Sequence, residues 1–434
     1  MPWISREGNC DEDFAFLSLM NFALPDLLTL RTAWNLLLAI AVLGTVSSSV
    51  FLAMVIAAAM RYRRLSRVAK RAAAAVPRTS LPPVTILKPV HGMEPQLSEN
   101  LESFFLQDYP NFEIIIGARD ENNPALQVAQ QLRKRYRHVN SKVVLSGPPT
   151  WPSAKVFSLD RMIAASSHSH FVISDSDVLV APDFLRNVIP PLLNARTGLV
   201  TCLYRGIPAK DFWSLLEALG MSVEMPSGVL VADMMEGMRF ALGAAMAVRR
   251  DALDAIGGIA ATADYYSDDF VLGNQVWAAG YKVALSHEIV GHVLVPRSLK
   301  ETLGDQLRWM RSTRYSRPKG HVGTGLTYAM PFGLLGLASS MLMGRPTLGF
   351  ALLFTAYLNR MVQALSVGWG ILRDERALKF CWLYPLRDLL GFVFWAKSFG
   401  SSRFSWRGEF YEFSEGGKII PQHRPAAAGS EEQL

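Results

Sequence analysis

Residues 33–60 run without a single Asp, Glu, Lys or Arg, and that run limits what the chain can become. At about 1.5 Å per helical residue it is long enough to cross the ~30 Å hydrocarbon core of a bilayer. It is too long for the apolar region of a cleaved signal peptide, and no basic segment closely precedes it. A basic block follows at once, with Arg61, Arg63, Arg64, Arg67, Lys70 and Arg71. Positive charge beside an apolar span favours anionic lipid and the cytoplasmic side. No aromatic-interleaved or helix-turn-helix pattern accompanies it, so nucleic acid is not expected as a partner. Apolar stretches return at 322–343, 348–372 and 378–399. The second holds Asn359 and Arg360, the third Arg387 and Asp388. Charges at that depth are costly, so these segments are expected to pack on each other, or one to be re-entrant. The three cysteines, Cys10, Cys202 and Cys381, lie far apart and give neither a disulfide framework nor a zinc site.

The expected organisation is a multi-pass membrane protein around a cytoplasmic domain. Residues 1–32 form an N-terminal segment suited to the interface, and 33–60 the anchor. A basic linker follows at 61–83, then an α/β domain at 84–320. Membrane helices occupy 321–400 and a tail 401–434.

Within 84–320, short apolar runs alternate with amphipathic ones. Strands are expected at 84–87, 112–117, 142–145 and 171–174, with further candidates at 198–204 and 242–248. Such βαβ alternation argues for a parallel or mostly parallel sheet with helices on both faces. Ligands of open α/β sheets gather outside the carboxyl ends of the strands. One strand there runs towards Asp120 and another into Asp175-Ser176-Asp177. Two carboxylates that close repel unless a cation or strong donor lies between them, and a hard divalent ion on a diphosphate answers that need. Asp is also common in a solvated turn after a strand. Asp268 and Asp269 fall at a helix start, where capping and the helix dipole account for one and leave the other for chemistry. The Met-rich stretch 213–238 reads as helices resting on the sheet or dipping into the membrane interface. His287 and His292 flank a short apolar run, where a histidine serves as a third metal ligand or as an ordinary hydrogen-bonded side chain.

The ordered set of motifs resembles the ceramide glucosyltransferases and their bacterial relatives among family-2-like GT-A glycosyltransferases. Its residues are Ile86-Leu87-Lys88-Pro89-Val90 with Gly92, Phe104 to Pro110, Ala118-Arg119-Asp120, Asp175-Ser176-Asp177, Arg249 to Leu253 with Gly257-Gly258, and Asp268-Asp269-Phe270. The tail adds Trp406-Arg407-Gly408 and Gly416-Gly417. The resemblance implies a GT-A-type mixed sheet that binds a nucleotide sugar. Lys88, Pro89 and Asp120 would then lie at the donor, with Asp120 on the base. Asp175 and Asp177 would hold ribose and a Mg²⁺- or Mn²⁺-bound diphosphate, and Asp269 would be the catalytic base. Arg308 and Trp309 match the end of a Gln/Arg-x-x-Arg-Trp motif whose first position is here Asp305, a departure that leaves Arg311 or Arg314 to supply the charge. Lys155 stands where relatives carry a lysine, which suits a diphosphate contact and a surface position equally.

The chemistry implied is direct displacement with inversion, served by one base and a cation on the leaving diphosphate. The favoured reaction moves glucose from UDP-glucose to ceramide, giving a β-linked glycolipid. A hopanoid acceptor, with UDP-N-acetylglucosamine or UDP-glucose, is the near competitor. A processive polysaccharide synthase would use the same donor chemistry but needs a polymer channel. A catalytically silent membrane scaffold is the reading from another class, and the intact carboxylate set argues against it. Acceptor choice is expected to reside in 213–238 and the C-terminal helices.

Overall fold

One helix, Asp11–Ala75, carries the apolar run and does not stop where the charge begins. The computed structural model describes residues 11–296, 298–406 and 409–422, with side chains from residue 29 onward. Residues 1–10, the Arg407-Gly408 pair of the tail motif and residues 423–434 lie outside the described residues. The expected linker at 61–83 is helical as far as Ala75, because Ala, Arg and Lys all favour helix and because this half of the helix has something to pack on. Val55, Ala58, Ala59 and Tyr62 are buried in the main core. The Tyr62 hydroxyl donates to the Ser286 carbonyl (2.8 Å) and Arg61 pairs with Asp233 (2.5 Å). Nearer its start the same helix leaves Leu36, Leu43, Val46 and Val50 exposed.

Three helices among the described residues are long and apolar enough to cross a membrane, within Thr29–Ala75, Phe212–Glu236 and Pro346–Trp369. The middle one is mostly buried against the rest of the chain and is a single helix containing Pro226. The Tyr384–Ser398 helix has 15 residues, fewer than the ~20 a straight crossing needs. Its Arg387 and Asp388 are paired inside the bundle, as the expected cost of burying them requires. Asp388 accepts from Arg360 (3.0 Å) and from the amides of Ala329 and Met330 (3.0 and 2.8 Å), which caps the Met330–Leu342 helix. Arg360 also donates to Asn359 Oδ1 through Nε and Nη2 (3.1 and 2.6 Å).

The central sheet has eight strands: β1 Val84–Pro89, β2 Phe112–Ala118, β3 Asn140–Leu145, β4 His170–Ser174, β5 Val178–Leu179, β6 Thr197–Ile207, β7 Ala245–Arg249 and β8 Lys282–Val293. Their order is β3-β2-β1-β4-β7-β6-β8-β5. The run β3 to β4 is parallel, β7 is antiparallel to both neighbours, and β5 is antiparallel to β8. The sheet is therefore mixed, the GT-A-type arrangement that the resemblance implies, rather than mostly parallel. The reason is the connection between β6 and β7. The Phe212–Glu236 helix carries the chain away from the sheet and residues 237–244 bring it back to the same end, so β7 must return antiparallel. Apolar cores cover both faces. A second, three-stranded sheet, β9 Arg403–Trp406, β10 Glu409–Phe413 and β11 Ile419–Gln422, packs on Tyr266 and Tyr315. It is stitched to the 264–266 loop by the Ile419 amide on the Asp264 carbonyl (2.8 Å) and the Tyr266 amide on the Gly417 carbonyl (3.2 Å).

Candidate active site

The carboxyl ends of β1 and β4 open into a cavity of about 1950 Å³. Asp175 stands where β4 ends, its amide donating to the Ala244 carbonyl (3.3 Å). Beneath it Lys88 is fully buried, donating to Ser174 Oγ (3.3 Å) and to the Asp175 carbonyl, with Nζ 4.0 Å from the Phe104 ring centre. Burial lowers its pKa to about 7, against the pull of Asp177, Asp175 and Glu94. Lys88 does not line the cavity; the adjacent Pro89 does. The expected donor contact of Lys88 is thus, as the side chain stands, a brace under the Asp175 backbone. Ser176, between the two carboxylates, donates to Glu94 (2.6 Å).

Asp177 is placed by the pairing of β5 with β8. Val178 faces His292 in register, and the Val293 amide donates to the Asp177 carbonyl (2.8 Å). This brings His292 Nε2 to 3.5 Å from Asp177 Oδ2. Asp177 Oδ1 and His292 Nδ1 are both buried and have no hydrogen-bond partner. The His292 ring leans on Tyr204, centroids 5.5 Å apart.

Lys155 projects from the first turn of the Ala154–Ala164 helix, capped by Ser153. Its Nζ lies 2.8 Å from Asp175 Oδ1 and 3.6 Å from Asp268 Oδ2. Burial alone would lower its pKa, but Asp175, Asp268 and Asp269 outweigh that and hold it above its ordinary value. Asp268 and Asp269 occupy the first turn of the Asp268–Ala278 helix, behind Ser267. Burial raises the pKa of Asp269 to about 6, Asp268 adds to the rise and Lys155 opposes it. Asp268 is raised too, again chiefly by burial. Gly243 makes room for the Asp269 side chain, since a Cβ there would sit 2.7 Å from Asp269 Oδ2. Gly243→Ala is expected to push that carboxylate aside and to lower kcat by about 10- to 100-fold, on the scale of the ~10²-fold cost of a 1 Å misplacement. Melting temperature measured beside kcat would separate this from unfolding.

Asp120 is elsewhere. It stands exposed on the loop after β2 and accepts from the Asn122 amide (3.0 Å). Arg119, not Asp120, lines the cavity. Of the carboxylates expected along one edge, Asp175, Asp177 and Asp269 share the cavity wall and Asp120 does not.

A model of glycosyl transferase family 21 matches residues 50–419. The chain belongs to that family. It is a glycosyltransferase. Ceramide glucosyltransferase 3 of Caenorhabditis elegans is 24% identical over 347 residues, 79% of this chain and 75% of that one. Ceramide glucosyltransferase of Komagataella phaffii is 36% identical over 113 residues, 25% of this chain and 22% of its own length. Among solved structures, a mannosyltransferase of Pyrobaculum calidifontis in complex with GDP-mannose and Mn²⁺ covers 82% of this chain and 99% of its own, at 18% identity and a TM-score of 0.44.

In this family 21 glycosyltransferase the departure at Asp305 has a structural consequence. Asp305 accepts from Arg308 Nη2 (2.6 Å), one turn along the Leu299–Ser316 helix. Arg308 also donates to the Tyr266 hydroxyl and lies over the Trp406 ring, 5.9 Å from its centre. Its charge is therefore partly neutralised, and its place is fixed by the second sheet. Arg311 and Arg314 do not replace it. They donate to the carbonyls of Arg403 and Ser398 (2.8 Å each) and neither lines the cavity. Trp309 lines it, packed like Tyr204 on the cluster of Ala218, Met221 and Leu294. From the sequence, His292 carries two open readings, and only the register of β5 on β8 brings it beside Asp177. Gly243 carries no sequence signal at all.

Proposed function

We propose that this enzyme moves one sugar from a nucleoside-diphosphate sugar, UDP-glucose first, to the hydroxyl of a membrane lipid, ceramide first, with inversion. The observation that carries the reading is that a single cavity is lined by a half-buried carboxylate of raised pKa, Asp269, by Asp175, Asp177 and Lys155, and by apolar helix faces. Asp269 is the base that takes the acceptor proton. With one base and no second carboxylate assigned as nucleophile, the transfer is a single displacement with inversion. Lys155 and Arg308 supply fixed positive charge on the donor side. The basic block after residue 60 supports a cytoplasmic active site beside the bilayer.

A divalent cation fits the residues present. Among the described residues no three His, Cys, Asp or Glu side chains converge as a metal cluster. Asp177 Oδ2 and His292 Nε2 nevertheless lie 3.5 Å apart, and Asp177 Oδ1 is buried without a hydrogen-bond partner, so these two side chains would hold a Mg²⁺ or Mn²⁺ ion together with oxygens of the donor and water. Such an ion would offset charge on the leaving diphosphate. Chelation by EDTA is expected to abolish turnover, and His292→Ala to raise the metal concentration needed for half-maximal rate by at least ~10-fold, the least that even an outer partner's loss causes. A rate indifferent to both would remove the cation from the reading.

Expression in a host without glycolipids, followed by mass spectrometry of the lipid extract, tests the reaction. A new hexosyl-ceramide is the expected product. A glycosylated hopanoid would move the acceptor, long polymer would move the class to a processive synthase, and no product with donor intact would overturn the reading.

A further inference from the structure

The cavity wall also carries an ion pair that the transfer chemistry does not use. Arg387, on the Tyr384–Ser398 helix, donates to Glu224 Oε2 (3.0 Å) and to Gln306 Oε1 (2.9 Å). Its side chain is only 7% exposed and its Nε is buried with no hydrogen-bond partner, whereas Glu224 is 27% exposed. All three residues line the cavity. Gly220, one turn before Glu224, lets Arg387 approach this closely, since a Cβ there would sit 2.3 Å from Nε. Around the pair the same helix offers the cavity an apolar face, Met221, Met225, Val229 and Ala232. As a packing device a buried ion pair gains little over apolar side chains. An apolar wall broken by one polar cluster is, in contrast, what a lipid with one polar group requires.

The cluster is also connected to the donor end. Gln306 is three residues from Trp309, which packs on the same Ala218, Met221 and Leu294 cluster as Tyr204, and Tyr204 leans on the His292 beside Asp177. One turn of the Leu299–Ser316 helix thus joins the cluster to the donor side. We propose that Glu224, Arg387 and Gln306 form the polar anchor of the acceptor, with Glu224 accepting a hydrogen bond from an amide N–H next to the reacting hydroxyl. This rests on the lipid-acceptor reading above. Arg387 holds Glu224 in place, and the carbon chains run along the Met221–Ala232 face.

The test uses the full chain in detergent with UDP-glucose, short-chain ceramide and its N-methyl analogue, which lacks the N–H. Wild type is expected to prefer the N–H lipid by about 10- to 100-fold in kcat/KM, the worth of a hydrogen bond to a charged group. Glu224→Met is expected to erase most of that preference while UDP affinity and donor KM stay unchanged. Gly220→Ala, which displaces Arg387 without removing the carboxylate, should reduce it in the same direction and decides the matter if Glu224→Met fails to fold. Normal UDP binding with the preference intact in both variants would overturn the anchor, as would a wild type that does not distinguish the two lipids. No ceramide turnover by wild type would overturn the acceptor reading itself, a result separable from turnover without preference.

Discussion

Asp269→Asn lowers kcat by about 10²- to 10⁴-fold, the range lost when a positioned base is removed, while UDP affinity is retained. The substitution keeps the shape that Gly243 accommodates and removes only the capacity to take a proton. The same residue sets the acid limb of the pH profile. Burial, then the charge of Asp268, holds its pKa at about 6 against the opposing Lys155. The active form is the carboxylate, so kcat/KM is expected to fall about tenfold per pH unit below 6 and to level off above it. Asp268→Asn removes one of the charges that raise that pKa, so the limb should move to lower pH. Initial rates across pH 4.5–8 at subsaturating acceptor would read both effects. If the Asp269→Asn enzyme stayed within about tenfold of wild type, the base would have to be another group.

Asp388→Ala is expected to destabilise the helical bundle by about 3–5 kcal/mol, the cost of leaving one member of a buried pair uncompensated. The loss is compounded because the same carboxylate caps the Met330–Leu342 helix through two amides. Thermal unfolding followed by size-exclusion chromatography in detergent would show it as an early loss of the monodisperse peak. Removing both charges, as Asp388→Leu with Arg360→Met, should return much of the loss, since apolar replacements of a buried pair are often neutral or better. If the double substitution were as damaging as the single one, the capping contacts rather than the ion pair would carry the stability.

How much of this was legible follows from where the physical signal lies. The runs that become β1, β2 and β4 are buried on both faces, and a continuous apolar run declares itself in the sequence. β8 does not, because Ser286, His287 and Glu288 interrupt it, and without β8 the partner of Asp177 is hidden. The three strands of the second sheet are short and alternate, so they read as tail, although they hold Tyr266 and through it Arg308. The carboxylates at 175, 177 and 269 were legible as chemistry because each follows a strand or opens a helix. Asp120 follows a strand equally well and yet stands exposed, accepting from the Asn122 amide of its own loop. The pairing of Asp305 with Arg308 follows from helical spacing alone, the two lying three residues apart.

The long first helix has a practical corollary. Its Val55–Tyr62 turns are wedged into the main core, so the catalytic unit has no severable stalk. A chain begun at Val84 would bare that apolar seat and is expected to aggregate, whereas one begun at Thr29 keeps it filled. On the proposed membrane reading, the wedge also fixes how far the sugar-transferring cleft stands from the lipid surface.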